Sequence, residues 1–322
     1  MPPTRANELE ASRTPKITRR KTMNDITSSL HQLHPNNGEV ERIHKSFYPA
    51  QFIYCCLPYR AVEEKIWIRE NGTWTLGITP GIITNPDGSR ESFIPSGKLA
   101  RAALLYVTTE AKKTGSPRIE LAKSYRGFLA DLGIEWNQRN AKEAVRQLRA
   151  VLSMSVQLSF ITPAGNGDNV VTEVEFKVGS GREIHFDAKA DIKERESYLL
   201  LSDDFYQSVI TGHAVPIITE TWRALIQETK SPLALDIYLW LSSRLNSLTA
   251  PVYITWEQLF TQFGSQTQRL AEFKKSFRAA LGTVREYYPG ANISEMGTGQ
   301  GKVKGFKGLV LRRSVPALPT QK

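Results

Sequence analysis

The pattern of apolar and polar positions between residues 266 and 313 predicts a helix followed by a returning strand. One helix face is apolar at α-helical spacing and consists of Leu270, Phe273, Phe277, Ala280, Leu281 and Val284. The opposite face is polar and basic, and it carries Gln268, Ala271, Lys275 and Arg278. A glycine-rich tip bordered by lysines follows the helix, and the apolar run 309–311 then predicts a strand. A helix followed by a basic hairpin is typical of a winged helix.

Similar patterns upstream predict two series of elements in the same order. In the first series we predict a helix at about 98–112 that is capped by Ser96, a strand at 118–121, helices at 124–132 and 137–152, and strands at 156–161 and 170–178. The turn 163–168 between those two strands is interpreted as a first wing. In the second series we predict a helix at 232–246, a strand at 252–255 and a helix at 256–263 before the helix described above.

The two series align with each other, which predicts an internal duplication. Gly133 aligns with Gly264, and Leu148–Leu152 aligns with Phe277–Leu281. The same alignment places Arg146 on Lys275 and Arg149 on Arg278, so basic positions are repeated as well as apolar ones. We therefore expect Arg139, Lys142, Arg146 and Arg149 to share the exposed flank of the first helix. Chance likeness of two amphipathic helices is the alternative, and the matching turn glycines and preceding strands argue against it.

The N-terminal third is predicted to contain a polar arm followed by strands rather than amphipathic helices. Residues 1–45 are polar and contain a basic cluster at 13–21, which predicts a disordered basic arm. From Phe52 to about Thr79 the pattern is that of strands, with Phe52–Leu57 as a short apolar run and Asn71-Gly72 as a hairpin signal. Asp87-Gly88 predicts a second turn.

The predicted fold class is α+β, with two tandem winged-helix units. The first unit follows a small β-rich extension within residues 46–195, and the second occupies residues 196–322.

Composition favours a polyanionic partner. The chain of 322 residues carries a net charge of +10, and residues 266–313 hold ten Lys or Arg against three Glu, a local balance of +7. The two cysteines are adjacent, so no disulfide framework is expected, and no apolar run reaches the roughly 18 residues of a membrane span. These features predict a soluble protein of the reducing cytoplasm, without membrane contact.

Candidate nucleic-acid contacts lie on the two aligned helices and the second wing. Side chains at the helix N-termini are placed to reach base edges; they are Asn137, Gln138, Arg139, Gln266, Thr267, Gln268 and Arg269. Cations farther along are better placed to bind phosphates and fix register; they are Lys142, Arg146, Arg149, Lys275 and Arg278, with Lys302, Lys304 and Lys307 from the wing. For any single residue, a solvated surface position remains the alternative.

Patterns for catalysis are weak. Residues 297–302 have the wrong glycine spacing for a phosphate loop, and Val303 stands where Ser or Thr is needed. No His-x-His pair accompanies a nucleophilic tyrosine, and the five histidines show no ligand spacing. We therefore expect no catalytic residue, metal or cofactor, and no enzymatic activity.

Four segments carry a recognisable combination of motifs: residues 94–101 (IPSGKLAR), 108–111 (TTEA), 128–133 (FLADLG) and 198–206 (YLLLSDDFY). In this combination the chain resembles the RepA-type plasmid replication initiators of Gram-negative bacteria, from about Phe47 to Arg313. It implies binding to direct repeats (iterons) in a plasmid origin, local opening of the duplex, and contact with the host initiator and helicase. It also implies a homodimer formed through the N-terminal half.

Two other functions are compatible with these patterns. A transcriptional repressor would use the same winged helices without opening an origin. A nicking enzyme for rolling-circle replication would need a catalytic centre for which the sequence gives no pattern.

Overall fold

The architecture is mixed α and β. The computed structural model describes residues 44–121, 124–163, 168–184, 197–211, 214–264, 266–296 and 306–315. All of these belong to one compact unit that spans residues 37–322. Most of the predicted basic arm, residues 1–43, and Lys302 and Lys304 of the predicted wing lie outside the described residues.

The first half contains four helices and ten strands among the described residues. In chain order they are β1 (Lys45–Pro49), α1 (Gln51–Tyr54), β2 (Trp67–Asn71), β3 (Trp74–Thr79), β4 (Ile83–Thr84), β5 (Arg90–Glu91), α2 (Gly97–Thr114), β6 (Arg118–Glu120), α3 (Tyr125–Asp131), α4 (Gln138–Ser153), β7 (Ser155–Pro163), β8 (Asn169–Lys177), β9 (Gly179–Glu183) and β10 (Tyr198–Leu201).

The second half adds five helices and four strands in the described part of the chain. They are α5 (Asp203–Ile210), β11 (Ala214–Ile218), α6 (Thr219–Glu228), α7 (Pro232–Arg244), β12 (Val252–Thr255), α8 (Trp256–Phe263), α9 (Leu270–Tyr287), β13 (Ile293–Met296) and β14 (Gly308–Leu311), with a short 3-10 turn at Leu245–Ser247.

Local signals account for several helix ends. The side chains of Ser124, Asn137 and Ser202 accept hydrogen bonds from the first turns of α3, α4 and α5. Thr255 and Gln258 form a reciprocal capping box at the start of α8. Ser96 occupies the N-cap position of α2, but its side chain makes no capping hydrogen bond.

A four-stranded antiparallel sheet has the order β2-β3-β7-β8. The predicted β2–β3 hairpin is confirmed, although Asn71 is the last paired residue and the turn is Gly72-Thr73. Gly72 has a φ of +64°, a conformation that glycine adopts without steric cost. The predicted strand at 52–57 is wrong in its first part, because residues 51–54 form α1 and three of them are buried.

Two three-stranded sheets share one topology. The first has the order β6-β10-β9 and the second β12-β14-β13. In each sheet the strand that precedes two helices (β6 or β12) pairs with the last strand of the unit (β10 or β14), which also pairs with the strand before it (β9 or β13). The expectation that β7 and β8 form the first wing is wrong, because these strands extend the sheet of β2 and β3. In the first unit β9 and β10 are the counterparts of β13 and β14.

The core is continuous between the two halves. Helix α7 is apolar around most of its circumference and is buried from Leu233 to Leu241. β1 pairs with β11 from Lys45↔Ile218 to Pro49↔Ala214, which joins the N-terminal extension to the second half. The predicted boundary between residues 195 and 196 stays a prediction; β10, which lies just after it, pairs with β6 and β9 of the first unit. None of the described helices combines the length and apolar character needed to cross a membrane.

Candidate nucleic-acid interface

The N-terminal turn of α4 exposes a polar and basic surface. Asn137 Oδ1 accepts from the Asn140 backbone N–H at 2.7 Å, so this side chain caps the helix. Gln138, Arg139 and Lys142 are exposed and, with Glu143, line a surface depression of about 440 Å³. These side chains are open to a partner, whereas the side-chain oxygen of Asn137 is engaged by the helix.

Farther along α4 the arginines are paired within the protein. Arg146 Nε donates to Glu91 Oε2 at 2.7 Å, and its guanidinium lies 3.7 Å from the centroid of the Phe93 ring. A second carboxylate, Glu143, lies 3.4 Å away. The charge of Arg146 is therefore largely offset by these two acidic neighbours.

The expectation that Arg149 lies on the exposed flank of its helix is wrong. Arg149 is buried, with Nη1 donating to Asn85 Oδ1 at 2.9 Å and Nη2 donating to the backbone carbonyl of Thr84. Burial lowers the pKa of Arg149, and the charge of Glu91 partly offsets that effect. Arg149 therefore anchors the β4–β5 turn to α4.

In the turn before α9, one glutamine side chain is hydrogen-bonded within the protein and another is exposed to solvent. Gln266 Oε1 accepts from the backbone N–H groups of Tyr59 and Arg60, both at 2.9 Å, and its Nε2 donates to the Arg60 carbonyl at 3.2 Å. Thr267 is partly buried, and Gln268 is exposed. The amide of Gln266 therefore ties the N-terminal extension to this turn, which leaves Gln268 open to a partner.

Helix α9 has exposed cations on its outer face. Arg269 lies 3.7 Å from Glu272 in an exposed pair, and Lys275 is exposed one turn farther along. Arg278 Nη2 donates to Glu295 Oε1 at 2.7 Å, and its guanidinium lies 5.0 Å from the Trp256 ring. The hydrogen bonds with Glu295 raise the pKa of Arg278.

The described part of the second wing begins at Phe306. Lys307 is exposed, and its carbonyl accepts from the backbone N–H of Trp256 at 3.2 Å. This hydrogen bond fixes the backbone at the base of the wing beside the start of α8.

Two residues near these helices are not indicated by the sequence pattern. Trp136 is 42% exposed immediately before the α4 cap, with Arg126 lying 5.6 Å from its ring. Arg182 lies on β9, opposite Leu199. An aromatic residue beside an N-cap could have singled out Trp136, whereas the position of Arg182 depends on the pairing of β9 with β10.

Comparisons with known proteins identify a plasmid family. Residues 94–258 match the family described as plasmid encoded RepA protein. No curated protein sequence matches the chain. The crystal structure of RctB domains 2-3 (RctB-155-483) is similar with a TM-score of 0.48 and 12% identity, covering 83% of this chain and 97% of that chain. A structure of selenomethionine derivatives of RctB domains 2 and 3 gives a TM-score of 0.49 and 11% identity, covering 84% and 98% respectively.

Proposed function

Since the chain belongs to the plasmid-encoded RepA protein family, we propose that it is a replication initiator that binds the iterons of a plasmid origin. In this proposal each half of the chain contributes one winged-helix unit, and α4 and α9 are the helices that enter the DNA major groove. The net charge of +10 supports a polyanionic partner.

The observation that carries the proposal is the repeated topology. β6, α3, α4, β9 and β10 have the same sheet pairing and order as β12, α8, α9, β13 and β14, with β7 and β8 inserted between α4 and β9 in the first unit. A pair of helices followed by a hairpin whose last strand joins the strand before the pair is the arrangement of a winged helix. The two units therefore offer two surfaces of the same topology for duplex DNA.

The exposed side chains divide into two groups. Arg139 on α4 and Gln268 before α9 are exposed near the helix N-termini, the part of a recognition helix that reaches base edges. Lys142 and Lys275 are exposed farther along the same helices, where a cation contacts phosphates. We propose that the first pair reads sequence and that the second pair fixes the register of the protein on the duplex.

Two such units suit a long direct repeat. When one chain carries two recognition helices, they can occupy successive major grooves about 10–10.5 base pairs apart. We propose that this engagement promotes opening of the adjacent duplex and brings host replication proteins to the origin. The proposal includes no enzymatic activity and no cofactor.

Binding is tested by fluorescence anisotropy with a labelled duplex from the plasmid origin and a scrambled duplex of the same length. We expect tighter binding to the origin duplex and a steep loss of affinity as salt rises, because bound cations release counterions from DNA. Equal and weak affinity for both duplexes would contradict the proposal.

An assay of origin opening distinguishes the proposed initiator from the alternative function, a winged-helix repressor. Permanganate reactivity of thymines in supercoiled origin DNA should increase when the protein is added. A repressor would bind without this increase. In a parallel reaction with Mg²⁺, a nick in the supercoiled DNA would show an enzymatic activity that the proposal does not include.

A further inference from the structure

In the second unit, Arg278 and Glu295 form an ion pair at a position that can be compared with the same position in the first unit. Arg278 lies on α9, and Glu295 lies on β13 opposite Leu309 of β14. Their side chains are joined by hydrogen bonds of 2.7, 3.1 and 3.2 Å. This bidentate pair neutralises both charges beside the recognition helix.

The first unit has two arginines at the equivalent position. Arg149 corresponds to Arg278, because the buried residues Leu148 and Leu152 correspond to Phe277 and Leu281. On the strands, Arg182 of β9 lies opposite the buried Leu199, as Glu295 lies opposite the buried Leu309. The acidic member of the second-unit pair is thus replaced by a cation in the first.

The backbone holds β9 close to α4 at this point. An added Cβ at Gly179, the first residue of β9, would lie 2.9 Å from the backbone carbonyl oxygen of Leu152. This close approach places the start of β9 beside the C-terminal turn of α4, three residues beyond Arg149. The charge of Arg149 correspondingly acts on Arg182, whose pKa is lowered first by burial and then by that neighbouring cation.

Arg182 has no acidic counterpart in the described part of the chain. Its side chain is only partly exposed, and no carboxylate of the described residues is among the groups that shift its pKa. Glu91, the carboxylate that acts on Arg149, is already bound by Arg146 at 2.7 Å. A partly buried guanidinium with no counterion among the described residues favours a bound anion at this position.

We propose that Arg182, supported by the positive field of Arg149, binds a phosphodiester oxyanion of the DNA backbone beside the first recognition helix. The five donors of a guanidinium form a planar fork that matches two oxygens of a phosphate. This inference rests on the proposed DNA-binding function. It makes the two units unequal, because the first binds a phosphate where the second closes an internal ion pair.

The test compares three variants of the full chain by anisotropy across a salt series. Arg182→Ala removes the proposed ligand, and Arg182→Glu recreates the arginine–glutamate arrangement of the second unit. Arg118→Ala is a matched control, because it removes one positive charge from β6, the opposite edge strand of the same three-stranded sheet, where Arg118 is exposed and pairs with Glu120 at 2.7 Å.

Arg182→Ala should weaken binding to origin and scrambled duplexes alike and reduce the slope of log affinity against log salt by about 1. Arg182→Glu should weaken binding further while unfolding thermally at or above the wild-type temperature, because the new carboxylate faces Arg149. Arg118→Ala should keep the wild-type salt slope. Thermal unfolding of every variant separates loss of binding from loss of folding.

The outcomes distinguish this inference from the proposed function. If the wild type binds DNA and both Arg182 variants keep its affinity and salt slope, the phosphate site is refuted and the proposed function stands. If the wild type does not bind duplex DNA, the proposed function itself fails. A thermal-shift series with inorganic phosphate alone tests for a site that binds free anions. If phosphate stabilises the wild type but not the Arg182 variants, while these variants bind DNA as the wild type does, the proposal is also overturned.

Discussion

Arg101 and Asp236 form a fully buried bidentate ion pair between the two halves of the chain. Arg101 Nε and Nη2 donate to the two carboxylate oxygens at 2.6 and 2.7 Å. The remaining donors of Arg101 reach the backbone carbonyls of Leu57, Pro58 and Gly97 at 2.8 to 3.1 Å. The pair therefore links α2, α7 and the segment after α1 at one point, with all five guanidinium N–H groups satisfied.

Loss of Arg101 should strongly destabilise the protein. Arg101→Met removes the guanidinium donors of Asp236 and of three backbone carbonyls, of which Pro58 keeps a hydrogen bond from the Gly97 N–H at 3.0 Å. We expect a loss of about 3–5 kcal/mol, mainly from the unpaired carboxylate in the core. Urea unfolding followed by circular dichroism measures the change. Arg118→Ala, which breaks an exposed pair, should leave the midpoint nearly unchanged. Equal midpoints for Arg101→Met and the wild type would contradict the role assigned to the pair.

A second substitution separates an unpaired buried charge from a loss of packing. Arg101→Met combined with Asp236→Leu removes both charges, and we expect it to regain much of the stability that Arg101→Met loses. The double variant is measured in the same urea titration. If it is no more stable than Arg101→Met, the loss arises from packing and the carbonyl contacts rather than from the stranded carboxylate.

Gln266 and Gln268 provide a matched pair of variants within one turn. Gln268→Ala should relax base preference, since a bidentate base contact contributes about 1–3 kcal/mol of discrimination. Gln266→Ala should keep base preference and lower the free energy of unfolding by about 1–2 kcal/mol, because it removes hydrogen bonds to Tyr59 and Arg60. Selection of preferred sites from random duplexes and urea titration measure the two effects. The reverse assignment of effects would show that Gln266 reads the DNA.

The cations of α9 should contribute unequally to DNA affinity. Lys275→Ala removes an exposed charge and should reduce the salt slope by about 1. Arg278→Ala should reduce it less, because Glu295 already offsets the charge of Arg278. Anisotropy across a salt series compares the two single variants. Identical slopes for Lys275→Ala and the wild type would show that this face of α9 does not contact phosphates.

Neither cysteine should react in the folded protein near neutral pH. Burial raises the pKa of the Cys55 thiol to about 11 and that of Cys56 well above its ordinary value, and only the thiolate attacks a disulfide reagent. In the unfolded chain both thiols return to a pKa of about 8.5. Because the folded values are raised, the thiols' contribution to stability is present below about pH 8.5 and is lost as pH rises toward 11.

A chromogenic disulfide reagent at pH 8 measures this protection directly. We expect no fast reaction in buffer and two reactive thiols per chain in urea. A fast reaction of one thiol in buffer would show that the segment after α1 opens readily.

The sequence predicts the second unit well because its signals are local. Strand 252–255 and helix 256–263 have the predicted bounds, since Thr255 begins the helix with its own side chain and Gly264 follows its last residue. The first wing is predicted wrongly because strand pairing depends on distant residues. β7 and β8 are strands and pair with each other, but β7 also pairs with β3, about 80 residues earlier in the chain, so the hairpin joins the sheet of β2 and β3.

In the candidate site, too, the features set by local spacing could be predicted and those set by distant contacts could not. The apolar and polar faces of α9 follow from spacing, and exposure of Gln268 and Lys275 agrees with it. The burial of Arg149 and the pairing of Arg146 with Glu91 depend on where the β4–β5 turn packs, which helical spacing does not specify. The use of Gln266 by Tyr59 and Arg60 is likewise a contact between residues more than 200 positions apart.

Methylation interference on one iteron tests the central claim most directly. If α4 and α9 are the two recognition helices, as proposed, there should be two clusters of major-groove guanines, about 10–10.5 base pairs apart, at which methylation prevents binding. Loss of only the cluster contacted by α9 in Gln268→Ala would assign that helix to its half of the repeat. A single cluster, or interference confined to the minor groove, would contradict the account of two recognition helices.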